Sequence, residues 1–458
     1  MRRAWELLRD THQTLIDIGN ESRGDVVRLE LGVMRPFWVT NPVHAQEVLG
    51  NRALYPRGQD TPLWRSVGRL VGRGILSEGD VWHRSRKTLG PIFRPTRMPE
   101  LVDDMSASIY ASVAELDEPA QAGTPVDISS ELSRIVAKAV MRVFFADQVS
   151  VPDALKIMKA QETIVTAMAW RLLLPNIPWW IQIPGDKQFK AAVRSIDEIL
   201  LPAVREAREK TALTKQQIAG DDPKRSGDDV LSTLAREDLS EQQVRDDVVA
   251  MVAVTTETTH VVLSWLFPLL AAHPDIADRL YEEIGRVVGR DRVRAEHLPQ
   301  LPYTKMVLEE LLRLYPAGWI VPRIAAKRTD LGGVRIPKGS TVVVSPFTTQ
   351  RMRIWWGSDA ETFNPDRWRV AERGRIRTRE SVPDGAHFPF GSGDHVCLGM
   401  HLFNLEALLI VATVLSRFRF TLTSDVDPGM RVAASLRPRQ RVEVRLHPIH
   451  ADVPQGAP

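Results

Sequence analysis

The sequence contains only one cysteine, Cys397, among its 458 residues. No intrachain disulfide can form, so the core must stabilise the fold, and a chain of this length buries enough surface to do so. Long apolar runs are also absent, because stretches such as residues 407–415 reach only about half of the roughly 20 residues that span a bilayer. The N-terminal segment is amphipathic and carries acids early, unlike a signal peptide. These features predict a cytoplasmic protein without a membrane anchor.

Neither sign of charge predominates, since the chain has 60 Lys and Arg residues and 57 Asp and Glu residues, for a net charge of +3. This balance excludes a general nucleic-acid binder. The chain is 43% hydrophobic and 26% charged, close to the averages of about 45–50% and about 25% for globular proteins, which excludes disordered and collagen-like chains. There is no repeat, low-complexity tract or strong linker, and we predict a single domain over residues 1–458.

Hydrophobic periodicity predicts a mainly α-helical protein with a minor β component. The longest predicted helix covers residues 240–273, with Ser240 as its N-cap and with its last turns bent by Pro268. An apolar helix is predicted over 398–416. Further helices are predicted for 82–89, 274–288 and 302–315 and within 128–212, and strands for 26–40, 319–347, 418–423 and 440–446.

Cys397 lies between a glycine-rich segment and the predicted apolar helix. A helix N-terminus stabilises a thiolate, Gly391 and Gly393 allow tight backbone turns, and Gly399 lets a flat partner approach closely. A thiolate facing a flat partner is a typical ligand of haem iron. Taken alone, however, an isolated cysteine is more often a buried structural residue.

The pattern Phe390-x-x-Gly393-x-His395-x-Cys397-x-Gly399 resembles the haem-thiolate loop of the cytochrome P450 family at every defining position. Further motifs extend the resemblance over nearly the whole chain. It implies the cytochrome P450 fold, with a long central helix over haem b and the cysteine loop beneath it. It identifies Cys397 as the axial metal ligand, places Phe390 beneath the porphyrin and directs His395 to a haem propionate. By itself, His395 would be an ordinary surface histidine.

Two other segments resemble motifs that hold the haem propionates in this family. Trp82-x-x-x-Arg86 matches a short helix whose tryptophan and arginine bind a propionate, and Arg323 lies where the family often places another arginine. A guanidinium suits a carboxylate because it can bind in a bidentate manner. Without the cysteine loop, the ordinary interpretation would be a core tryptophan and solvated arginines.

Glu310-Leu-Leu-Arg313 resembles the Glu-x-x-Arg pair of the family, and Phe363-Asn-Pro-Asp-Arg367-Trp resembles the segment whose arginine joins that pair. Residues at i and i+3 are neighbours on a helix, and in isolation such a pair would most often be a weak surface ion pair. The resemblance implies a buried structural triad, Glu310–Arg313–Arg367, which positions the cysteine loop and takes no catalytic step.

In the predicted central helix, Val254-Thr255-Thr256-Glu257-Thr258-Thr259 aligns with the acid–alcohol motif of the family. The resemblance implies that Thr258 hydrogen-bonds the bound dioxygen and that Glu257 delivers protons for its cleavage. From spacing alone, Thr258 would instead donate to the carbonyl four residues earlier. Thr255 departs from the family, which commonly has glycine there, and either supplies a second donor or narrows the pocket.

By resemblance, the substrate pocket is lined by the 61–75 loop, a lid at 164–184 and the segment 317–321. The lid carries one charge, Arg171, and three tryptophans, which favours a hydrophobic substrate. Alternatively, the lid residues only pack against each other, or they touch a membrane surface. The predicted pocket residues are Val254, Ala317, Trp319, Ile320 and Val321, and the lid tryptophans are Trp170, Trp179 and Trp180.

Two basic clusters occupy segments that in the family approach the side of the haem where electrons enter. A basic patch there would attract an acidic redox partner, whereas a solvated charged face is the alternative. The clusters are Arg84, Arg86, Lys87, Arg94 and Arg97, and Arg367, Arg369, Arg373, Arg375, Arg377 and Arg379. No reductase or ferredoxin module is apparent, so electrons from NAD(P)H are expected to arrive only indirectly, through a ferredoxin or flavodoxin with its reductase.

The leading hypothesis is a monomeric haem-thiolate monooxygenase that inserts one oxygen atom from O2 into a hydrophobic secondary metabolite, such as a terpenoid or polyketide. A second hypothesis is a haem-thiolate enzyme of unusual chemistry: peroxygenation, rearrangement, oxidative coupling or nitration. Relatives of that kind often lose the acid–alcohol pair, which this chain retains. A third is a haem protein that binds a ligand without catalysis, although no segment resembles a signalling output domain.

Overall fold

The structure is a computed structural model, and it describes residues 10–31, 34–58, 68, 72–146, 148–167, 177, 180–217, 229–289, 291–370, 376–378, 382–424, 429–432 and 435–449. The helices, strands and contacts given below belong to these residues. Most of the predicted 61–75 loop and 164–184 lid lie outside them, as do Trp170, Arg171, Trp179, Arg373, Arg375 and Arg379.

Helices make up most of the described chain, and their caps follow from the sequence. Asn41 accepts a hydrogen bond from the Val43 amide (2.9 Å) before Pro42, and Ser240 accepts one from the Gln243 amide (3.1 Å). The helices are α1 Thr11–Ser22, α2 Pro42–Gly50, α3 Gly79–Leu89, α4 Met98–Ala114, α5 Asp117–Ala122, α6 Ile128–Phe145, α7 Val151–Ala167, α8 Asp186–Gln217, α9 Val230–Ala235, α10 Glu241–Ser264, α11 Leu266–Ala272, α12 Pro274–Val287, α13 Pro302–Leu314, α14 Pro346–Thr349, α15 Arg353–Trp356 and α16 Met400–Arg417.

The strands form small sheets at the edges of the helical body. The largest has the order β1-β2-β7-β4, in which β2 and β7 run parallel and the other neighbours antiparallel. The strands are β1 Val27–Arg28, β2 Phe37–Val39, β3 Val126–Asp127, β4 Val321–Ile324, β5 Thr329–Leu331, β6 Val334–Ile336, β7 Thr341–Val344, β8 Trp368–Val370, β9 Ile376–Thr378, β10 Phe418–Leu422, β11 Met430–Val432, β12 Leu436–Pro438 and β13 Glu443–Pro448. The mainly helical fold class with a minor β component is confirmed.

The main hydrophobic core surrounds α10 and α16. Among the described helices, two stretches, Glu241–Ala272 and Met400–Arg417, are long and apolar enough to cross a bilayer. Their apolar windows are 72% and 78% buried against the rest of the protein, as is typical of core helices. The longest predicted helix is therefore the central element of the core.

The predicted single helix over 240–273 is interrupted earlier than expected. It ends at Ser264, and α11 begins at Leu266 on the other side of Trp265. The Pro268 ring conflicts with the carbonyl four residues before it, that of Ser264, so the interruption falls one turn ahead of the proline.

Candidate active site

A cavity of about 1590 Å³, including the part open to solvent, lies between the central helix α10 and the segment that contains Cys397. Apolar residues dominate its walls, which come from α10, α16, the 389–399 segment and the 317–323 segment. The cavity therefore suits a largely apolar ligand that contacts both α10 and the segment that contains Cys397.

The cysteine loop, residues 388–399, is held by its own backbone and by α2. The Cys397 amide donates to the Phe390 carbonyl (2.9 Å), and the Val396 amide donates to the Gly393 carbonyl (3.0 Å). Gly393 has φ +70°, and a Cβ there would lie 2.4 Å from the Leu49 carbonyl oxygen of α2. Glycine is therefore required at this position for two independent reasons.

The Cys397 side chain is exposed to the cavity. The cavity wall nevertheless lies deep in the protein, and this burial raises the pKa of the thiol, while the Gly399 amide and the Arg86 guanidinium lower it. Because α16 begins at Met400, the prediction that Cys397 stands at the helix start is wrong by about one turn. The helix end acts on the sulfur through the Gly399 amide.

Three arginines, Arg57, Arg86 and Arg323, line the cavity, and none of the described lining residues is acidic. Burial lowers the pKa of each, and burial together with the neighbouring arginines lowers the pKa of Arg57 to about 10. Glu78 opposes this effect from beside the cavity. Such a concentration of partly uncompensated cations favours a ligand that carries carboxylates.

Haem b fits this cavity. It is flat, it carries two propionates for the arginines, and its iron needs the axial ligand that Cys397 offers from the cavity wall. Phe390 and Gly399 also line the cavity, and no side chain approaches within 4 Å of the position that a Cβ on Gly399 would take. Trp82 is buried at the wall, and Arg86 donates to the Val396 carbonyl (2.8 Å) within the cysteine loop.

His395 contacts Glu78, a residue that does not belong to the cysteine-loop motif. Its Nε2 lies 3.2 Å from a Glu78 carboxylate oxygen, its ring contacts that of Trp82 at 4.3 Å between centroids and a tilt of 57°, and its Nδ1 is buried without a partner. Burial lowers the pKa of His395, although Glu78 raises it. The orphaned Nδ1 is the atom left for a propionate, and Glu78 and Arg57 are neighbours that the motif did not identify.

On the opposite wall, α10 presents Val254, Thr255, Thr258 and Thr259 to the cavity. The Thr258 hydroxyl donates to the Val254 carbonyl (2.6 Å). This is the bond that spacing alone predicts. Since the hydroxyl proton is used within the helix, the oxygen of Thr258 offers the cavity its lone pairs.

The acid of the acid–alcohol motif faces a different part of the protein. Glu257 does not line the cavity; its carboxylate accepts from Arg437 and from the Ser435 hydroxyl (2.9 Å), around β12. The motif identified the adjacent acid and alcohol, Glu257 and Thr258. It could not identify Arg437, the partner of Glu257, which follows 180 residues later.

Four of the five predicted pocket residues line the cavity: Val254, Ala317, Ile320 and Val321. Trp319 does not, and the prediction for it is wrong. The Trp319 side chain is buried and packs instead with Trp38, Phe347 and Leu436.

The wall that precedes α3 is anchored to α10 by two buried acids. The Asp247 carboxylate accepts from the Ile75 amide (2.6 Å) and the Ser85 hydroxyl (2.7 Å), and Asp246 accepts from the Arg73 amide (2.9 Å). Burial raises the pKa of Asp247 to about 6. Sequence reasoning missed this anchor because two adjacent acids on a helix usually face solvent.

Glu310, Arg313 and Arg367 meet in a buried cluster. Glu310 and Arg313 form two hydrogen bonds of 2.8 Å, and Arg367 Nε donates to Glu310 at 3.2 Å. Arg313 also donates to the Gln350 carbonyl (2.6 Å), and the Gln350 side chain accepts from the Phe388 amide (3.0 Å) at the start of the cysteine loop. Gln350, which sequence reasoning missed, thus connects the cluster to the loop.

Only some residues of the two predicted basic clusters lie at the surface. Arg84, Lys87 and Arg94 are exposed, whereas Arg86 lines the cavity and Arg367 belongs to the buried cluster. The prediction that these last two residues contribute to a surface patch is therefore wrong, because each is drawn inward by a specific acceptor.

A model of the family described as Cytochrome P450 matches residues 8–446 of the chain. Pentalenene oxygenase from Streptomyces avermitilis is 28% identical over 450 residues, which cover 97% of this chain and 94% of that protein. Cyclooctatin synthase from Streptomyces melanosporofaciens is 28% identical over 443 residues, covering 93% and 88%. Cyclooctat-9-en-7-ol 5-monooxygenase from the same organism is 28% identical over 410 residues, covering 87% and 83%.

Proposed function

The chain belongs to the cytochrome P450 family, and we propose that it oxygenates a cyclic terpenoid at the cavity between Cys397 and α10. The protein is a haem-thiolate monooxygenase that uses dioxygen and a hydrophobic substrate and receives electrons from a redox partner. The observation that supports the proposal is the cavity itself, in which a single thiol and a threonine-bearing helix line the same space.

The choice of a terpenoid rests on the cavity lining and on the relatives. Met251, Val254, Val262, Ile320 and Val321 line the cavity with aliphatic side chains, which suits a hydrocarbon skeleton with few polar groups. Two relatives carry names that specify oxygenation, pentalenene oxygenase and cyclooctat-9-en-7-ol 5-monooxygenase. Titration of the ferric protein with pentalenene and with a polyketide of similar size tests this choice, because a substrate that enters the cavity beside the haem would shift the haem spectrum. A shift with the polyketide alone would contradict it.

We assign the haem contacts residue by residue. Cys397 would ligate the iron, Arg57, Arg86, Arg323 and the Nδ1 of His395 would bind the propionates, and Trp82 would pack beside them. Phe390, Gly391 and Gly399, which line the cavity near Cys397, would contact the macrocycle. Haem, when bound, supplies the iron at which dioxygen is activated and at which electrons are delivered. The protein's own residues bind the haem, orient the substrate and supply protons to the cavity.

Thr258 and Glu257 divide the handling of protons. The Thr258 oxygen, whose proton is held by Val254, accepts a hydrogen bond from water or from a protonated group in the cavity and so fixes its position. Glu257 carries protons from the side of β12 toward that position. Thr255 adds a hydroxyl and a methyl group to the same wall, next to the Val254 and Thr258 side chains.

Thr258→Ala should keep the substrate-induced spectral shift but lose coupling, so that product per NAD(P)H falls by about tenfold or more and peroxide accumulates. The acceptor in the cavity is lost, while the helix loses only one back-bond worth about 1 kcal/mol. Product, peroxide and NAD(P)H consumed are to be measured together.

Thr255→Gly serves as the comparison on the same wall. If Thr255 is merely accommodated, coupling stays nearly unchanged apart from a helix-propensity cost of about 1 kcal/mol. If Thr258→Ala keeps full coupling and Thr255→Gly loses it, the role proposed for Thr258 belongs to Thr255 instead. If neither substitution affects coupling, the peroxide-using or rearranging chemistry becomes the better account.

We propose a single cytochrome P450 domain that acts as a cytoplasmic monomer and receives electrons from an acidic ferredoxin or flavodoxin, itself reduced by an NAD(P)H-dependent reductase. Arg84, Lys87 and Arg94 are the exposed cations available for docking on the α3 side. Attraction between opposite charges speeds association and weakens as salt rises.

A further inference from the structure

The carboxylate of Glu257 is held by three donor atoms that all come from the segment around β12. Arg437 Nη2 lies 2.5 Å from Glu257 Oε2, Arg437 Nε lies 3.2 Å from Oε1, and the Ser435 hydroxyl donates to Oε1 at 2.9 Å. A planar guanidinium that contacts both carboxylate oxygens fixes their orientation as well as their charge. Glu257 is thus turned away from the cavity, which Thr258 faces.

A second, polar cleft of about 900 Å³, including its open part, lies on this side of α10. It is formed by Asp127 and the first turns of α6, by His260 of α10, by Arg431 of β11 and by residues 437–442. Besides His260, its polar lining consists of Asp127, Ser129, Ser130, Ser133, Arg431, Arg437, Arg439, Gln440 and Arg441. Because Arg437 lines the cleft and also binds Glu257, it links the carboxylate to a space that water can enter.

The segment that carries Arg437 is fixed rather than loose. Leu436, between Ser435 and Arg437, is 1% exposed, and its carbonyl accepts from Trp265 Nε1 (2.7 Å) at the end of α10. It packs with Trp319, whose neighbour Ile320 lines the cavity. Fully exposed ion pairs contribute little because their long side chains move freely. The Arg437 and Glu257 side chains are 31% and 28% exposed, and Arg437 directly follows the buried Leu436.

We infer that Arg437 is a positioning residue that holds Glu257 beside this cleft, so that protons enter from the cleft rather than through the substrate side of the cavity. The inference rests on the proposed role of Glu257 as proton carrier. Glu257 and Thr258 are consecutive on α10, so their side chains project about 100° apart around the helix. To pass a proton toward the cavity, the Glu257 side chain has to leave Arg437 and turn around α10. Without Arg437 the carboxylate would lose its fixed starting position.

The experiment uses the haem-loaded protein without substrate, supplied with NADPH, spinach ferredoxin and its reductase. Dioxygen is then reduced either by two electrons and two protons to hydrogen peroxide or by four electrons and four protons to two waters. Slow proton delivery favours peroxide. NADPH and dioxygen consumed and peroxide formed are measured for wild type, Glu257→Gln, Arg437→Gln, Arg437→Lys and the matched control Arg441→Gln, which alters another cleft arginine.

We expect Arg437→Gln to raise the ratio of peroxide to water about threefold or more, a small part of the 10²–10⁴-fold that a positioned general acid contributes. Arg437→Lys should recover part of the loss, and Arg441→Gln should match wild type. In urea unfolding, Arg437→Gln and Glu257→Gln should be non-additive, since both remove one contact. This second readout does not depend on activity.

The outcomes separate the two ideas. If Glu257→Gln leaves the ratio unchanged, the proposed role of Glu257 fails. If Glu257→Gln raises it while Arg437→Gln behaves as Arg441→Gln does, Arg437 is not a positioning residue. Additive unfolding free energies for the pair would likewise overturn the inference, because they would mean that the contact does not exist in solution.

Discussion

Glu310→Ala is expected to give little or no folded protein with bound haem. The Glu310 side chain is completely buried and accepts hydrogen bonds from Arg313, Arg367, the Trp368 indole (3.0 Å) and the Asn364 amide (2.9 Å). Its removal leaves the buried Arg313 without a carboxylate partner and leaves Arg367 with Asp359 alone. Breaking a buried ion pair in this way typically costs 3–5 kcal/mol. Since domains are stable by only about 5–15 kcal/mol, this is a large share of the total. Arg313→Ala should have a similar effect.

The measurements are soluble yield, haem per protein and the thermal unfolding midpoint. Asp366→Ala is the matched control, because this nearby carboxylate pairs with Arg279 (2.8 Å) at the surface, where both side chains are about half exposed. An exposed pair is worth about 1 kcal/mol or less, so the control should fold normally. Ordinary haem content and thermal stability in Glu310→Ala would show that the cluster does not support the cysteine loop.

Cys397→Ala should abolish the red-shifted Soret band of the ferrous carbonyl complex. That band requires a thiolate opposite the bound carbon monoxide, and the chain has no second cysteine that could replace Cys397. The propionate contacts of Arg57, Arg86 and Arg323 remain, so some haem should stay bound and give an ordinary carbonyl band. Haem content is therefore measured beside the spectrum, with Cys397→His as a variant that offers a nitrogen ligand. If the red-shifted band persists in Cys397→Ala, Cys397 is not the iron ligand.

The sequence was most informative where a short motif fixes both the residues and their spacing. Glu310 and Arg313 are three residues apart on a helix, and the structure joins them at 2.8 Å. The glycines of the cysteine loop were expected to allow tight turns, and Gly391 and Gly393 have φ values of +74° and +70°. Such features are local, so the chain itself specifies them.

Contacts between distant segments could not be predicted in this way. Arg57 lies near a glycine-rich loop without periodicity, yet the fold brings it beside Arg323. Arg437 meets Glu257 only because β12 packs against α10. Trp319 was assigned to the cavity by resemblance, together with the rest of the 317–321 segment, but its side chain packs with Trp38, Phe347 and Leu436. These outcomes depend on packing, which a single motif does not encode.

The central claim, that this chain inserts one atom of dioxygen into a hydrophobic molecule, is tested most directly with ¹⁸O₂. The compound that gives the largest spectral shift is incubated with the haem-loaded protein, NADPH, ferredoxin and ferredoxin reductase, and the product is analysed by mass spectrometry. The account predicts one ¹⁸O atom per product molecule and, once uncoupled peroxide and water are subtracted, one NADPH consumed for each product. Product that carries oxygen from water, or that forms from added peroxide but never from ¹⁸O₂, would contradict it.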